Sequence, residues 1–355
     1  MDYSEWLSHS PFEFSQTEKE KRLLPYFLEL TEYHRTHCIP YKHMLDLLNY
    51  NSLLIHTLAD LPMLPITLFK TLPLKSASDN DFKTLTSSGT SGQAVSQIFL
   101  DKATAQNQQL TLYSIVQDFI GSARRPMLII DSPSIVKNRL SFTARSAAIL
   151  GFSMFAKHPR YALTENFELD LATIEQFIQD NTGKPVLIFG FTFMIWQYFC
   201  LALQQNKLHF DFSNACLIHG GGWKKLQDKA VTPTEYKHRL LNQFGIYKVH
   251  NYYGMAEQTG CIYMECEYGH LHASIFSDII FRQPHDFSIC SIGSTGIINV
   301  LSPMAISYPG HSILTEDLGT LLGVDDCPCG RKGKYFLING RIPKAEIRGC
   351  SDTHG

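Results

Sequence analysis

Two groups of residues in this sequence have types and spacing suited to chemistry, and a third lies near its end. Leu85-Thr-Ser-Ser-Gly-Thr-Ser-Gly-Gln93 holds two glycines and five hydroxyl side chains in nine positions. Gly89 and Gly92 can take positive φ, which lets successive backbone N–H groups point at one anion, and the hydroxyls add donors for phosphate oxygens. The stretch that follows, Ala94-Val-Ser-Gln-Ile-Phe-Leu100, reads as a strand, and no Gly-Lys-Ser/Thr is present. A P-loop nucleotide site is therefore excluded, and a polar hairpin turn is the plain alternative. His250-Asn-Tyr-Tyr-Gly-Met-Ala-Glu-Gln-Thr-Gly260 then sets Tyr253, Gly254 and Glu257 close together. An aromatic ring can stack on a base, and a carboxylate can hold a Mg²⁺ that bridges phosphates.

The second group is Cys266-x5-His272 with Cys327-x-Cys329. Three thiolates and an imidazole make a structural zinc set, closed because four protein ligands leave no open position. Cys261 and His270 are alternative ligands, and a set of free buried thiols is the plain reading. The third feature is Cys350, which follows Gly349 on a short polar tail with Arg348 and His354 nearby. A cysteine so placed is free to move, and a neighbouring cation favours its nucleophilic thiolate.

Positioning such groups needs a scaffold, and the composition describes one. The chain has 355 residues, 44% hydrophobic and 18% charged, so it can bury a large core and is not a disordered or coiled-coil protein. Lys+Arg 31 against Asp+Glu 33, with no basic block, disfavours nucleic acid as the main partner. The N-terminus has no basic segment followed by an apolar run, so no signal peptide is expected. Nine cysteines, an odd count, suit reduced thiols in the cytoplasm better than a disulfide framework.

Short apolar runs ending in polar or glycine-rich turns recur at Pro126-Met-Leu-Ile-Ile-Asp131, Pro185-Val-Leu-Ile-Phe-Gly190 and Asn214-Ala-Cys-Leu-Ile-His219. A helical pattern at residues 169–178 separates two of them. This alternation predicts an α/β fold with helices on both faces of the sheet and ligands at the carboxyl ends of its strands. Residues 186–203 carry no charge. They divide into a buried strand and a buried helix over residues 193–203 rather than one membrane span. The apolar run at 189–195 suits plain core or the wall of an acyl pocket. Residues 1–75 read as mainly helical, broken late by Pro62, Pro65 and Pro73, and the chain turns β-rich from about residue 275.

Taken together and in order, the loop at 85–93, the 250–260 stretch, Leu314-Thr-Glu-Asp-Leu-Gly319 and Asn339-Gly-Arg341 resemble the signature of the adenylate-forming superfamily. The resemblance implies roles position by position. Thr86, Ser87, Ser88, Gly89, Thr90 and Gly92 would close on the ATP phosphates. Tyr253, with Gly254 beside it, would stack on adenine, and Glu257 would ligate Mg²⁺. Asp317 would hold the ribose hydroxyls, and Arg341 would mark the hinge. Gly220, Gly221 and Gly222, within His219-Gly-Gly-Gly-Trp-Lys-Lys225, occupy the place where this superfamily wraps backbone around adenine. The Cys/His set resembles the phenylacetate-CoA ligase branch.

Two departures stand out. Ile342-Pro-Lys-Ala345 replaces the acidic hinge residue, and the swinging C-terminal domain with its carboxylate-contacting lysine is expected to be missing. Lys224, Lys225 and Lys344 are candidates for that lysine, with Lys224 taken as the catalytic one. The short chain, the Ser-Ser-Gly-Thr-Ser-Gly loop, His-Gly-Gly-Gly-Trp-Lys and the near-terminal cysteine are similar to the LuxE family of acyl-protein synthetases, over about residues 5–355. That resemblance implies an adenylate-forming core of mixed and parallel sheets at 76–341, β-rich with a zinc knuckle at about 261–335. A helical region at 1–75 would precede it, and a tail at 342–355 would bear the carrier Cys350. It further implies ATP, Mg²⁺ and structural Zn²⁺ as cofactors, a fatty acid substrate and a LuxC-like acyl-CoA reductase-type partner. An acyl- or aryl-CoA ligase and a non-catalytic, zinc-stapled acyl-binding scaffold are the rival readings.

Overall fold

The computed structural model describes residues 3–76, 82–87, 95–137, 143–223 and 229–342. They form two compact units, one from residues up to Phe119 together with Gly254 to Ile342, the other from Ile120 to Tyr253.

In the Ile120–Tyr253 unit, Lys248–Tyr253, Ala215–Gly220, Val186–Phe191, Arg125–Ile130 and Ala156–Tyr161 lie side by side in that order as an all-parallel sheet. Side chains alternate between the two faces of a strand. On one face Leu128, Ile130, Val186, Ile188 and Leu217 pack with Ile174 and Phe177 of the Leu171–Asp180 helix and Leu240 and Phe244 of the Pro233–Phe244 helix. On the other, Phe152 stacks on Phe189 at 4.3 Å and lies 5.2 Å from Tyr252. Covering both faces is what makes the central strands read as unbroken apolar runs. Every residue of Val186–Phe191 and of Ala215–Gly220 is buried.

The stretch after Phe191 is helical as its pattern predicts, but its middle is wider than an α-helix. Thr192–Met194 is α, Ile195–Leu201 is π and Ala202–Gln205 is α again. The wide turn coincides with a crowded interior, where Trp196 stacks on Tyr236 and Phe199 lies 5.0 Å from Phe244. Among the described residues no helix is long and apolar enough to cross a membrane.

The other unit carries an antiparallel sheet in the order Asp278–Arg282, Thr295–Leu301, Ser312–Val324, Lys334–Arg341, Leu271–His272 and Tyr263–Glu265. Leu64–Pro65 pairs in parallel with Ser312–Val324, and Phe82–Thr86 pairs with Gln97–Asp101 as a separate hairpin. The Gln16–His37 helix starts at Ser15, whose Oγ accepts from the Glu18 N–H. Its buried residues Lys19, Leu23, Phe27, Thr31 and His34 recur at helical spacing and form one face.

Lys19 is an unusual member of that face, at 1% exposure. Its Nζ lies 3.3 Å from Asp278 Oδ1, while Lys334 Nζ lies 2.9 Å from Oδ2 and Gln16 Nε2 donates to Oδ2 at 2.9 Å. Burial alone would raise the Asp278 carboxyl, but Lys19 and Lys334 outweigh it and hold it below its usual range. Removing this anion leaves the buried Lys19 ammonium without its carboxylate and Lys334 with Glu20 alone, at 3.6 Å. Asp278→Asn should therefore cost roughly 3–5 kcal/mol in urea unfolding, and a loss below about 1 kcal/mol would show that the pair carries no such burden.

Candidate functional site

Ligands of parallel sheets collect at the carboxyl ends of the strands, and in the Ile120–Tyr253 unit that edge carries the glycine run. Gly220 closes its strand opposite Tyr252. A Cβ on Gly220 would sit 2.3 Å from Cε1 of the Tyr252 ring, so this approach admits only glycine. Gly221 has φ +74°, and a Cβ on Gly222 would meet no described atom within 4 Å. A Cβ on Gly221 would meet the Phe191 ring at 3.2 Å, so among the described residues it is Gly222 that shows bare backbone. Tyr253, half-buried, follows Tyr252 at the end of the neighbouring strand. His219, just before the turn, is buried against the Tyr236 ring at 4.7 Å. Desolvation, with Lys237 and His250 nearby, pushes its pKa down to about 3, so the imidazole is neutral at physiological pH.

In the other unit, Glu257 is buried within the short Ala256–Gln258 turn. The buried Tyr308 hydroxyl donates to the Glu257 carbonyl at 2.9 Å and accepts from Gln108 Nε2 at 3.2 Å. Gln258 Nε2 donates to Gly310 O at 2.8 Å and lies 3.3 Å from Val300 O. Gly260, at φ +84°, presses on the Gln108 backbone so closely that a Cβ would sit 2.2 Å from its carbonyl oxygen. The turn bearing Glu257 is therefore held from the Lys102–Ile120 helix on one side and from the segment before Ser312 on the other. Asp317 and Arg341 are cross-strand partners, with Arg341 Nε 3.2 Å from Asp317 Oδ1 and Nη2 3.5 Å from Glu316 Oε2.

The same unit brings Cys266, His272, Cys327 and Cys329 together, with their donor atoms all within 4.8 Å of one another. That spread suits one tetrahedral ion, whose sulfur donors sit roughly 3.8 Å apart when Zn–S is about 2.3 Å. Two tight turns make the group. Gly269, at φ +80°, lets the chain fold so that Cys266 N–H donates to His270 O at 2.8 Å. Gly330, at φ +85°, closes the other turn by donating to Cys327 O at 3.0 Å. The imidazole of His272 reaches Cys329 Sγ at 3.4 Å, and His270, the alternative ligand named from the sequence, has its Nδ1 3.3 Å from Cys327 Sγ. Cys261 is elsewhere: its buried thiol donates to Phe276 O, and desolvation pushes its pKa up to about 11. None of the eight cysteines among the described residues is in a disulfide.

Thr86 and Ser87 stand at the neck of the hairpin, where Thr86 pairs with Gln97 and Ser96 N–H donates to Ser87 Oγ at 2.9 Å. A strand, not a helix, follows the loop, in keeping with the rejection of a P-loop. Ser88, Gly89, Thr90, Gly92, Lys224, Lys225, Lys344, Arg348, Cys350 and His354 lie outside the described residues.

Comparison with known proteins now decides the family. The family model described as "Acyl-protein synthetase, LuxE" matches residues 4–354. The chain belongs to the LuxE family of acyl-protein synthetases. Among similar sequences is the long-chain-fatty-acid–luciferin-component ligase of Vibrio harveyi, 21% identical over 333 residues, covering 90% of this chain and 84% of that protein. Its namesake from Aliivibrio fischeri is 21% identical over 330 residues, covering 90% of this chain and 82% of that one. In structure, the LuxE-family chain is similar to a 2-hydroxyisobutyryl-CoA ligase in its postadenylation state with 2-HIB-AMP. The TM-score is 0.72 at 16% identity, over 94% of this chain and 70% of that one. An open form of the same ligase, with 2-HIB-AMP and CoA, gives 0.71 at 16% identity over 96% and 80%. These likenesses establish the fold as that of the adenylate-forming ligases.

Tyr308 and Gln258 were invisible as site supports in the sequence, because each acts on a backbone carbonyl far along the chain. Tyr308→Phe keeps the ring and deletes one hydroxyl, leaving the Glu257 carbonyl and the Gln108 amide short of a partner. A stability loss of about 1–3 kcal/mol is expected in urea unfolding, and an unmoved midpoint would mean that water replaces the bond freely.

Proposed function

We propose that this chain is an ATP-dependent ligase that activates a long-chain fatty acid as acyl-AMP. It would then carry the acyl group as a thioester on Cys350 for delivery to a LuxC-like acyl-CoA reductase-type partner. The observation that carries this reading is the acyl-protein synthetase match, which runs to residue 354 and so takes in Cys350. The names of the Vibrio harveyi and Aliivibrio fischeri relatives supply the substrate class.

In the first step a carboxylate oxygen attacks the α-phosphorus of ATP. The bond to the β-phosphate bridging oxygen breaks, and pyrophosphate leaves. In the second, the Cys350 thiolate attacks the acyl carbon, and the carbon–oxygen bond to AMP breaks with its electron pair going to AMP. Splitting one hard acylation into two activated steps is covalent catalysis. The hydroxyls and backbone amides of the 86–92 loop would bind the β- and γ-phosphates, Tyr253 and Gly220–Gly222 the adenine, and Asp317 the ribose. Glu257 would hold Mg²⁺, which offsets charge on the phosphates. Lys224 is the candidate for contacting the carboxylate, and Arg341 would mark the hinge. Cys266, His272, Cys327 and Cys329 would hold a structural Zn²⁺. Reduced thiols suit a cytoplasmic setting for a cysteine carrier.

The test is exchange and labelling with a radiolabelled fatty acid. Pyrophosphate should exchange into ATP only when fatty acid is present. The denatured protein should retain label that hydroxylamine removes, and Cys350→Ser should retain none. Release of acyl-CoA with unlabelled protein would favour the CoA ligase instead, and no exchange at all would leave a scaffold. For the metal, purified protein should contain one zinc per chain by elemental analysis and lose it in Cys327→Ser. A content well under one in the wild type would remove the knuckle.

A further inference from the structure

The geometry points to Thr192 as a positioning residue that sets the shape of the Gly220–Gly222 turn, and through it the affinity for the adenine end of the nucleotide. Thr192 stands just past the Val186–Phe191 strand, whose last residue pairs with Gly220. Its Oγ1 lies 2.8 Å from Gly221 O, 3.1 Å from Gly220 O and 2.9 Å from His219 Nδ1. One hydroxyl thus touches three consecutive residues, His219 and the first two of the turn.

A hydroxyl has one proton to give, and both carbonyls can only accept. The proton therefore serves the glycine carbonyls, and His219 donates from Nδ1 to the threonine oxygen. The neutral, buried His219 supplies that N–H, and the Tyr236 ring fixes its plane. The chain runs from a rigid buried ring, through one hydroxyl, to the two carbonyls that orient the turn.

The turn needs such a hold. Three successive glycines have more backbone freedom to lose than any other tripeptide. Gly220 is confined by the Tyr252 ring and Gly221 takes φ +74°, yet Gly222 has no described atom within 4 Å of where a Cβ would be. The Tyr252 ring confines Gly220, and Trp223 just past the turn packs on Trp196 and Tyr236; between these anchors the Thr192 hydroxyl holds the Gly220 and Gly221 carbonyls. A flat purine laid against bare backbone would sense their orientation. Phosphates, bound elsewhere, would not.

This inference rests on the adenylation reading, and the experiment separates the two. Thr192→Val is close in shape and lacks the hydroxyl, while Thr192→Ser keeps it. In the fatty-acid-dependent exchange assay, Thr192→Val should raise the KM for ATP roughly tenfold, the effect of about one lost hydrogen bond. The KM for pyrophosphate and the rate at saturating ATP should stay within about threefold by the same scale. Thr192→Ser should restore the ATP KM. An unchanged ATP KM, or equal rises for ATP and pyrophosphate, would overturn the assignment. If the valine variant does not fold, Thr192→Ala carries the same comparison. If the wild type shows no exchange, the adenylation reading falls. The clamp is then judged on deuterium uptake of the peptide spanning Gly221 and Trp223. Faster uptake in Thr192→Val than in Thr192→Ser supports it, and equal uptake overturns it.

Discussion

Hydrogen bonds from buried side chains to loop carbonyl oxygens are the constraint on which the rest of this structure depends. Regular strands and helices satisfy their own backbone groups, but the turns that leave them do not, and an unpartnered buried carbonyl is costly. In each unit a few side chains meet that need. Thr192 serves Gly220 and Gly221, Tyr308 serves Glu257, and Gln258 serves Gly310. Each donor comes from a residue that is itself buried and well packed. Short, glycine-rich turns can then keep one conformation without a bulky side chain to wedge them.

The β-rich unit adds ionic groups to this scheme. Asp278 collects Lys19, Lys334 and Gln16 at one fully buried carboxylate, joining the first long helix to the sheet. The Cys/His group does similar work between two hairpin turns, with Tyr335 stacked on both His270 and His272. Polar clusters of this kind fix one arrangement because any other would leave charge or donors unmatched.

Much of this was legible beforehand, for physical reasons. The buried strands ending at Phe191 and Gly220 show as apolar runs because both sheet faces are covered. The cysteines and histidine announce their grouping, since Pro and Gly between Cys327 and Arg331 bend the chain locally. What could not be read is long-range. The π-turn at Ile195–Leu201 has the same apolar pattern as an α-helix. Thr192 looks like one polar residue in a phenylalanine-rich run, and nothing local tells that its hydroxyl meets a turn 28 residues away. Asp317 and Arg341 carried separate implied roles, yet register makes them an ion pair. Cross-strand register depends on the whole sheet, not on either residue's neighbours.

The central claim is that the carboxyl edge of the parallel sheet, with its glycine turn and Tyr253, is where the adenine of ATP lies. The most direct measurement is photolabelling with 8-azido-ATP in the presence of Mg²⁺ and fatty acid, followed by peptide mapping. Label should appear on the peptides containing Gly220–Trp223 or Tyr253 and should vanish when excess ATP is present. Label that ATP displaces from some other segment, with both of these peptides clean, would contradict the account.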